Sequence, residues 1–231
     1  MESCAVLQPD VVDQIRQFWT NPDYALSEAQ INQLATYLEL LNKWNRVHSL
    51  TAIEEPSEQV RRHILDGLGV WPVIAARFGK DPAIRAADVG SGMGVPGVVL
   101  AIAMPKLKID LIERNQKKAA FLRQVCGRLG LGPRVRVIEA DVSAIQSKPE
   151  YDLITSRAFA ALPVFLELTL GISGPNTAWA AMIGRQKENI SDRILIKINN
   201  KINNLVVSDI IKMNTPGIQE ARHLAWVGRC D

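Results

Sequence analysis

The stretch DVGSGMGVPG, residues 88–97, decides how the rest of the chain is read. It follows an apolar run at 84–89 and precedes a stretch at 95–104 with helical character. That strand–turn–helix setting is the one a nucleotide-binding loop requires. Glycines let the backbone turn tightly and come close to a ligand. A G-x-G-x-x-G pattern alone is a weak signal, and here it fits only at Gly92, Gly94 and Gly97. The dehydrogenase form starts with the glycine that directly follows the strand. That register gives Gly90 and Gly92, then Val95 where the third glycine should stand, with Pro96 next to it.

The carboxylates around the loop narrow the reading. Asp88 ends the strand two residues before Gly90. An acid there would repel a pyrophosphate, but it can receive the cationic amino-acid part of S-adenosylmethionine (SAM), directly or through water. The next apolar run, 109–112, ends at Glu113, 25 residues after Asp88. A carboxylate so placed can accept hydrogen bonds from both ribose hydroxyls. Asp141, preceded by Ala140, follows a third run at 135–140 and is placed to accept from an adenine amino group. Three carboxylates after three successive strands say more than the glycines do. The structural alternative is that each one caps a strand end or a neighbouring helix.

Outward from this segment, further apolar runs lie at 151–155, 178–183 and 224–227, with helical stretches at 116–129 and 162–172. Such alternation predicts a mainly parallel sheet with helices on both faces. Residues 189–213 are β-branched and Asn-rich with no clear caps, and their elements stay open. Before the loop the chain reads as helical. Ser27 to Gln30 forms a capping box ahead of Ile31, Leu34, Leu38 and Leu41. A second start lies at Pro56-Ser57, and Pro72 should kink or end that helix. The expected division is a helical extension over 1–80 and a cofactor-binding domain over 81–231.

The 231 residues are 47% hydrophobic and 22% charged, ordinary for a globular chain and unlike a disordered one. No window approaches eighteen uninterrupted apolar residues, which speaks against a membrane span. The start, MESCAVLQPD, lacks the basic and apolar regions of a secretory signal. Cys4, Cys126 and Cys230 fit neither a disulfide framework nor a zinc pattern, so the expectation is a reducing cytoplasm and no metal. Residues 1–60 hold three Lys/Arg against nine Asp/Glu, a balance of −6, whereas 61–231 balance at +9. A basic body suggests an anionic partner, although scattered surface charge would give the same count.

Several segments together resemble the RsmG/GidB family of bacterial 16S rRNA (guanine-N7)-methyltransferases, over roughly residues 40–229. They are NRVHSLTAI (45–53), RHILD (62–66), the glycine loop with its Pro96-Gly97 tail, ERNQKKAAFLRQV (113–125), SRAFA (156–160) and ARHLAWVGR (221–229). The resemblance implies a class I SAM-dependent methyltransferase: a Rossmann-like, mostly parallel seven-stranded sheet with an antiparallel last strand, preceded by N-terminal helices. It implies SAM as cofactor. The implied substrate is a guanine (position 527) in the 530 loop of 16S rRNA in the 30S subunit, modified by a monomeric cytoplasmic enzyme. The chain departs from the family pattern at three places. His48-Ser49 stands where an asparagine is usual, Gly67 replaces the serine after RHILD, and Ile183-Gly184-Arg185 stands where Lys-Gly is usual.

Guanine N7 has a lone pair and no proton, so it can attack a SAM methyl group without a general base. The chain agrees: no Asn/Asp-Pro-Pro-aromatic motif follows the 151–155 run, and there is no Pro-Cys nucleophile. Cys126 sits in an apolar helical stretch and reads as core. Arg157, just past the fourth strand, is the candidate for orienting substrate and touching cofactor, because its fork can grip a phosphate or guanine O6; a surface ion pair is the alternative. Phe159 can stack on a base or pack in the core. Arg62, His63, Lys117, Lys118, Arg123 and Arg185 are candidates for RNA contact, against the alternative of solvated helix faces and scaffolding, with His63 facing Asp66. Competing functions on the same fold are a small-molecule methyltransferase and a non-catalytic rRNA-binding module.

Overall fold

The computed structural model describes residues 9–145, 150–184, 191–198, 201–213, 215, 218 and 221–230. The helical start comprises α1 (Pro9–Phe18) and α2 (Glu28–His48). It continues with α3 (Pro56–Gln59), which runs through a π-helical segment (Val60–Leu65) into α4 (Asp66–Leu68), and then α5 (Val70–Phe78). The capping box at α2 forms as expected: Gln30 N donates to Ser27 Oγ, and Ser27 N donates to Gln30 Oε1. The break expected at Pro72 falls earlier, at Gly69, and Pro72 sits in the first turn of α5. There its missing N–H costs nothing, and the offset at Gly69 spares a clash between its ring and the Leu68 carbonyl.

Eight strands form one sheet in the order β3-β2-β1-β4-β5-β8-β7-β6. They are β1 (Arg85–Val89), β2 (Lys108–Ile112), β3 (Val135–Ile138), β4 (Tyr151–Arg157), β5 (Ser173–Ile183), β6 (Arg193–Ile198), β7 (Lys201–Met213) and β8 (Arg222–Arg229). Helices α6 (Gly97–Ala103), α7 (Gln116–Arg128) and α8 (Leu162–Thr169) link the first five strands, which pair in parallel. The mostly parallel α/β architecture is the expected one, with one correction. The sheet has eight strands instead of seven, and three antiparallel pairings, β5·β8, β8·β7 and β7·β6, close it. The extra strand comes from the unread stretch 189–213, which folds into the β6–β7 pair. Ile194 and Ile196 are buried while Leu195 and Lys197 face out, a period of two that gives no helical signal.

The N-terminal helices and one face of the sheet share a single core. Ile15, Leu34, Leu38 and Leu68 pack in the same cluster as Leu100, Leu111 and Phe121. The boundary expected at residue 80 falls in the connection between α5 and β1. All of α6 is buried and carries no polar side chain, because α2, α4 and α5 cover its outer side. The contact with α4 is close: a Cβ on Gly67 would lie 2.9 Å from Val99 Cβ. The other face is covered by α8 over Tyr151, Phe165 and Trp179.

Candidate active site

From β1 the chain moves outward to β2 and β3, then returns to β4 on the other side of β1. Ligands of open α/β sheets bind where the strand order reverses in this way, beyond the carboxyl ends of the strands. The glycine loop leaves β1 at that point, and Arg157 ends β4 beside it.

The loop is tied to the end of β2, because Gly90 N and Ser91 N both donate to the Ile112 carbonyl at 2.9 and 3.2 Å. Tyr37 of α2 holds its far side by donating to the Met93 carbonyl at 3.0 Å. Two glycines show why side chains are excluded. Gly90 has φ +69, and a Cβ there would lie 2.3 Å from the Phe159 ring. Gly92 has φ +57 and open space beside it, so a side chain would strain the backbone and project into the cleft. Val95 is buried in the core, and its cis peptide with Pro96 leads into α6.

The cleft has two lobes of about 490 and 390 Å³, which share Gly90, Gly92, Lys118 and Ala158 in their walls. The first lobe holds the acids read from the sequence after β2 and β3. Glu113 accepts from Gly92 N through Oε2 and from Asn115 N through Oε1, both at 2.8 Å. Asp141 accepts from the Ser143 backbone and hydroxyl at 3.0 and 2.7 Å, and the hydroxyl holds its carboxyl below the usual carboxylate range. Ala140 and Phe159 complete this side. Asp88 lies elsewhere. It is fully buried beneath the loop, and its Oδ2 accepts from Gly97 N at 3.1 Å at the start of α6. Its Oδ1 has no hydrogen-bond partner, and burial pushes its pKa up to about 7.

The second lobe is cationic. Arg157 Nη1 donates to the Arg62 carbonyl at 3.0 Å and lies 3.4 Å from Asp66 Oδ2. Arg222 Nε lies 3.3 Å from Asp66 Oδ1. The Asp66 side chain keeps 4% of its exposure, each arginine 22%. Burial works to raise the Asp66 pKa while both arginines oppose it. Sequence reading had paired Asp66 with His63. Instead His63 is buried and its Nε2 meets Thr51 Oγ1 at 3.2 Å, away from any RNA-accessible surface. Burial drives its pKa down to about 4, so the ring is neutral at pH 7. The Asp66 cluster had a legible signal in one respect. An antiparallel β8 begins at the same end of the sheet where β4 ends, so Arg157 and Arg222 stand at one end, a strand apart, and both reach Asp66.

The remaining candidates scatter. Lys118 rims both lobes and Lys117 is exposed one residue before it. Arg123 is ion-paired with Glu139 at 2.8 Å, and Arg62 with Glu58 at the same distance. Arg185 lies outside the described residues.

Residues 30–224 match the family model GidB, described as rRNA small subunit methyltransferase G. The chain belongs to this family. A curated relative named ribosomal RNA small subunit methyltransferase G from Chromobacterium violaceum is 38% identical over 199 residues, covering 86% of this chain and 88% of the relative. Its namesake from Laribacter hongkongensis is 36% identical over 204 residues, covering 88% and 91%. By family, the chain is an rRNA methyltransferase. Among solved structures, a mutant of MtNAS in complex with S-adenosylmethionine superposes with a TM-score of 0.56 at 16% identity, covering 95% of this chain and 90% of that one. A SAM-dependent methyltransferase from Aquifex aeolicus gives 0.50 at 13% identity, covering 76% and 98%. At such identities the likeness is one of fold. The family match begins inside α2 and ends in β8, so it takes in the residues of both lobes.

Proposed function

We propose that this GidB-family chain transfers a methyl group from SAM to N7 of a guanine, position 527 in the 530 loop of 16S rRNA. The observation that carries the reading is the two-lobed cleft at the switch point, with Glu113 and Asp141 in the wall on one side of Gly90 and Gly92 and Arg157 and Arg222 in the wall on the other.

The first lobe fits the cofactor by the chemistry of its donors. Glu113 keeps unused lone pairs on both oxygens for the ribose hydroxyls, and Asp141 faces the same space for the adenine amino group. Gly92 leaves room where a Cβ would intrude. When bound, SAM supplies an electrophilic methyl on a sulfonium. Asp88 acts from beneath as the brace that fixes Gly97 and the start of α6.

The second lobe takes the guanine. N7 attack releases no proton, so no residue has to accept one. The carboxylate in this wall, Asp66, is held between two arginines and serves orientation, not proton transfer. Arg157 keeps donors in its fork beyond those used on Arg62 and Asp66, and these orient guanine O6 or the adjoining phosphate. The gain comes from alignment of N7 with the methyl carbon.

The test is methyl transfer from labelled SAM to 30S subunits and free 16S rRNA, with the product mapped by reverse transcription. Label at N7 of guanine 527 is expected. Arg157→Ala should lose transfer while keeping most SAM affinity. No transfer, or label at another nucleotide, overturns the assignment.

A further inference from the structure

The charge count of the first sixty residues conceals a local reversal. Their three basic residues are Arg16, Lys43 and Arg46. Arg16 is engaged by Asp13 and Glu28 at the far end of the helical layer. Lys43 and Arg46 stand exposed on the last turns of α2. Beside them Val47 is 75% exposed. His48 lies against Trp44 with ring centroids 5.0 Å apart. Trp44 is itself fixed on α7: its ring meets Phe121 at 5.7 Å and its indole N–H donates to Gln124.

This end of α2 is aimed at the cleft. Ser49 turns the chain in a left-handed conformation, and Leu50 is already in the wall of the second lobe. The contacts of α2 with α7 run antiparallel: Gln33 donates to the Leu129 carbonyl, Tyr37 meets Phe121, and Trp44 lies on the same ring. Trp44 meets the middle of α7, on Phe121 and Gln124, and Lys117 and Lys118 lie one to two turns earlier on that helix. Lys118 of α7 rims the second lobe and Leu50, two residues past the end of α2, lines it, so the cations at the end of α2 stand close to that lobe, with an apolar and aromatic step among them.

We propose that the end of α2 is a docking surface for the single-stranded RNA that flanks the target base. The inference rests on the rRNA reading above and adds Lys43, Arg46, Val47 and His48 to it. Lys43, Arg46 and Lys117 take phosphates, and the Val47–His48 step, backed by Trp44, takes the face of a base. Single strands are held by this combination of cations and flat platforms. Basic residues at a helix C-terminus also favour the helix dipole. That accounts for the charges but not for an exposed valine beside an imidazole packed at a tilt on Trp44.

The experiment uses the full chain and a 16S rRNA fragment containing the 530 loop, with affinity measured across a salt series. Lys43→Gln/Arg46→Gln should reduce the slope of log affinity against log salt by about 1.4, at about 0.7 per phosphate contact on a single strand. Val47→Asp should weaken binding about tenfold, on the scale of one lost base contact. Neither variant should change SAM affinity. A wild-type chain that binds neither the fragment nor 30S subunits overturns the proposed rRNA target itself. Wild-type binding with an unchanged slope and affinity in the double variant overturns only the docking surface. So does a double variant that loses thermal stability while its slope is unchanged, which assigns the cations to the helix dipole. Normal binding to the fragment with weakened binding to 30S subunits also overturns it, in favour of a ribosomal protein as the partner.

Discussion

Replacing Asp66 with alanine removes a carboxylate that lies between Arg157 and Arg222, 3.4 and 3.3 Å from their nitrogens. The aspartate side chain is 4% exposed. Breaking a fully buried ion pair costs about 3–5 kcal/mol, because the remaining charge is left uncompensated. Here each arginine keeps 22% of its exposure, and Arg157 keeps the Arg62 carbonyl at 3.0 Å. Those two facts lower the expected loss to about 2–3 kcal/mol. For a chain of this size that corresponds to a fall in Tm of about 4–12 °C. Thermal unfolding followed by circular dichroism measures it. Arg157→Ala should cost less, since Asp66 retains Arg222. The double variant Asp66→Ala/Arg157→Ala should lose less than the sum of the two, because the pair is coupled. An Asp66→Ala chain that melts within about 1 °C of wild type would refute the claim that this cluster bears load. Additive losses in the double variant would refute the pairing.

Three further outcomes are expected. Glu113→Ala should weaken SAM binding about tenfold or more by titration calorimetry, since it removes a carboxylate facing the first lobe together with the anchor of Gly92 N. Gly97→Ala should cost about 1–3 kcal/mol in chemical denaturation, because the new Cβ would lie 2.4 Å from Leu111 Cδ2 and 2.6 Å from Asp88 Oδ2. Asp88 has its folded pKa raised from 3.8 to about 7, so its contribution to stability is present below the unfolded value and lost as pH rises through about 7. The SAM-free protein should therefore lose stability between pH 4 and about 7 through this group, and Asp88→Asn should flatten that part of the pH profile.

What was legible in the chain followed from periodicity and from strand ends. The alternation of apolar runs and helical stretches carried the parallel half of the sheet, because β1 and β2 are apolar runs buried on both faces and α7 has one apolar side. Glu113, Asp141 and the glycines could be placed for the same reason: they follow strands whose ends can be read. The β6–β7 pair could not, since a short Ile-Leu-Ile alternation flanked by asparagines has neither caps nor a turn signature. His63 and Asp66 were misread together. Helical spacing put them on neighbouring positions of one turn, but the segment Val60–Leu65 is a π-helix, which turns by more residues and sends the two side chains to different partners. Nothing in local sequence announces that change, which depends on packing against the rest of the helical layer. Asp88 shows a further limit. Its position was correct, yet whether it faces a ligand or a backbone N–H depends on the path of a loop whose course is set by Pro96 and by contacts with Phe159 and Tyr37.

The two lobes also divide the chain by origin, and this explains where the sequence departs from its family. The first lobe is built mainly from β1, β2 and the segments that follow β1 to β4, with Leu168 added from α8. The second lobe draws Leu50 and Asp66 from the helical start, and Met182, Met213 and Arg222 from β5, β7 and β8. Its walls therefore come from segments far apart in sequence that meet only when the helical layer covers α6. The three departures noted in the sequence all fall on this side. His48-Ser49 leads directly to Leu50, Gly67 follows Asp66 and packs on Val99, and Ile183-Gly184 lines the lobe itself. None touches the carboxylates of the first lobe. A serine at position 67 would place its Cβ 2.9 Å from Val99 Cβ, so the chain as it stands requires glycine there or a shift of α4 against α6. Such a shift would carry Asp66 with it and reset both arginines. Variation on this side of the cleft thus acts through helix packing on the position of Arg157, away from Glu113 and Asp141 in the wall of the first lobe.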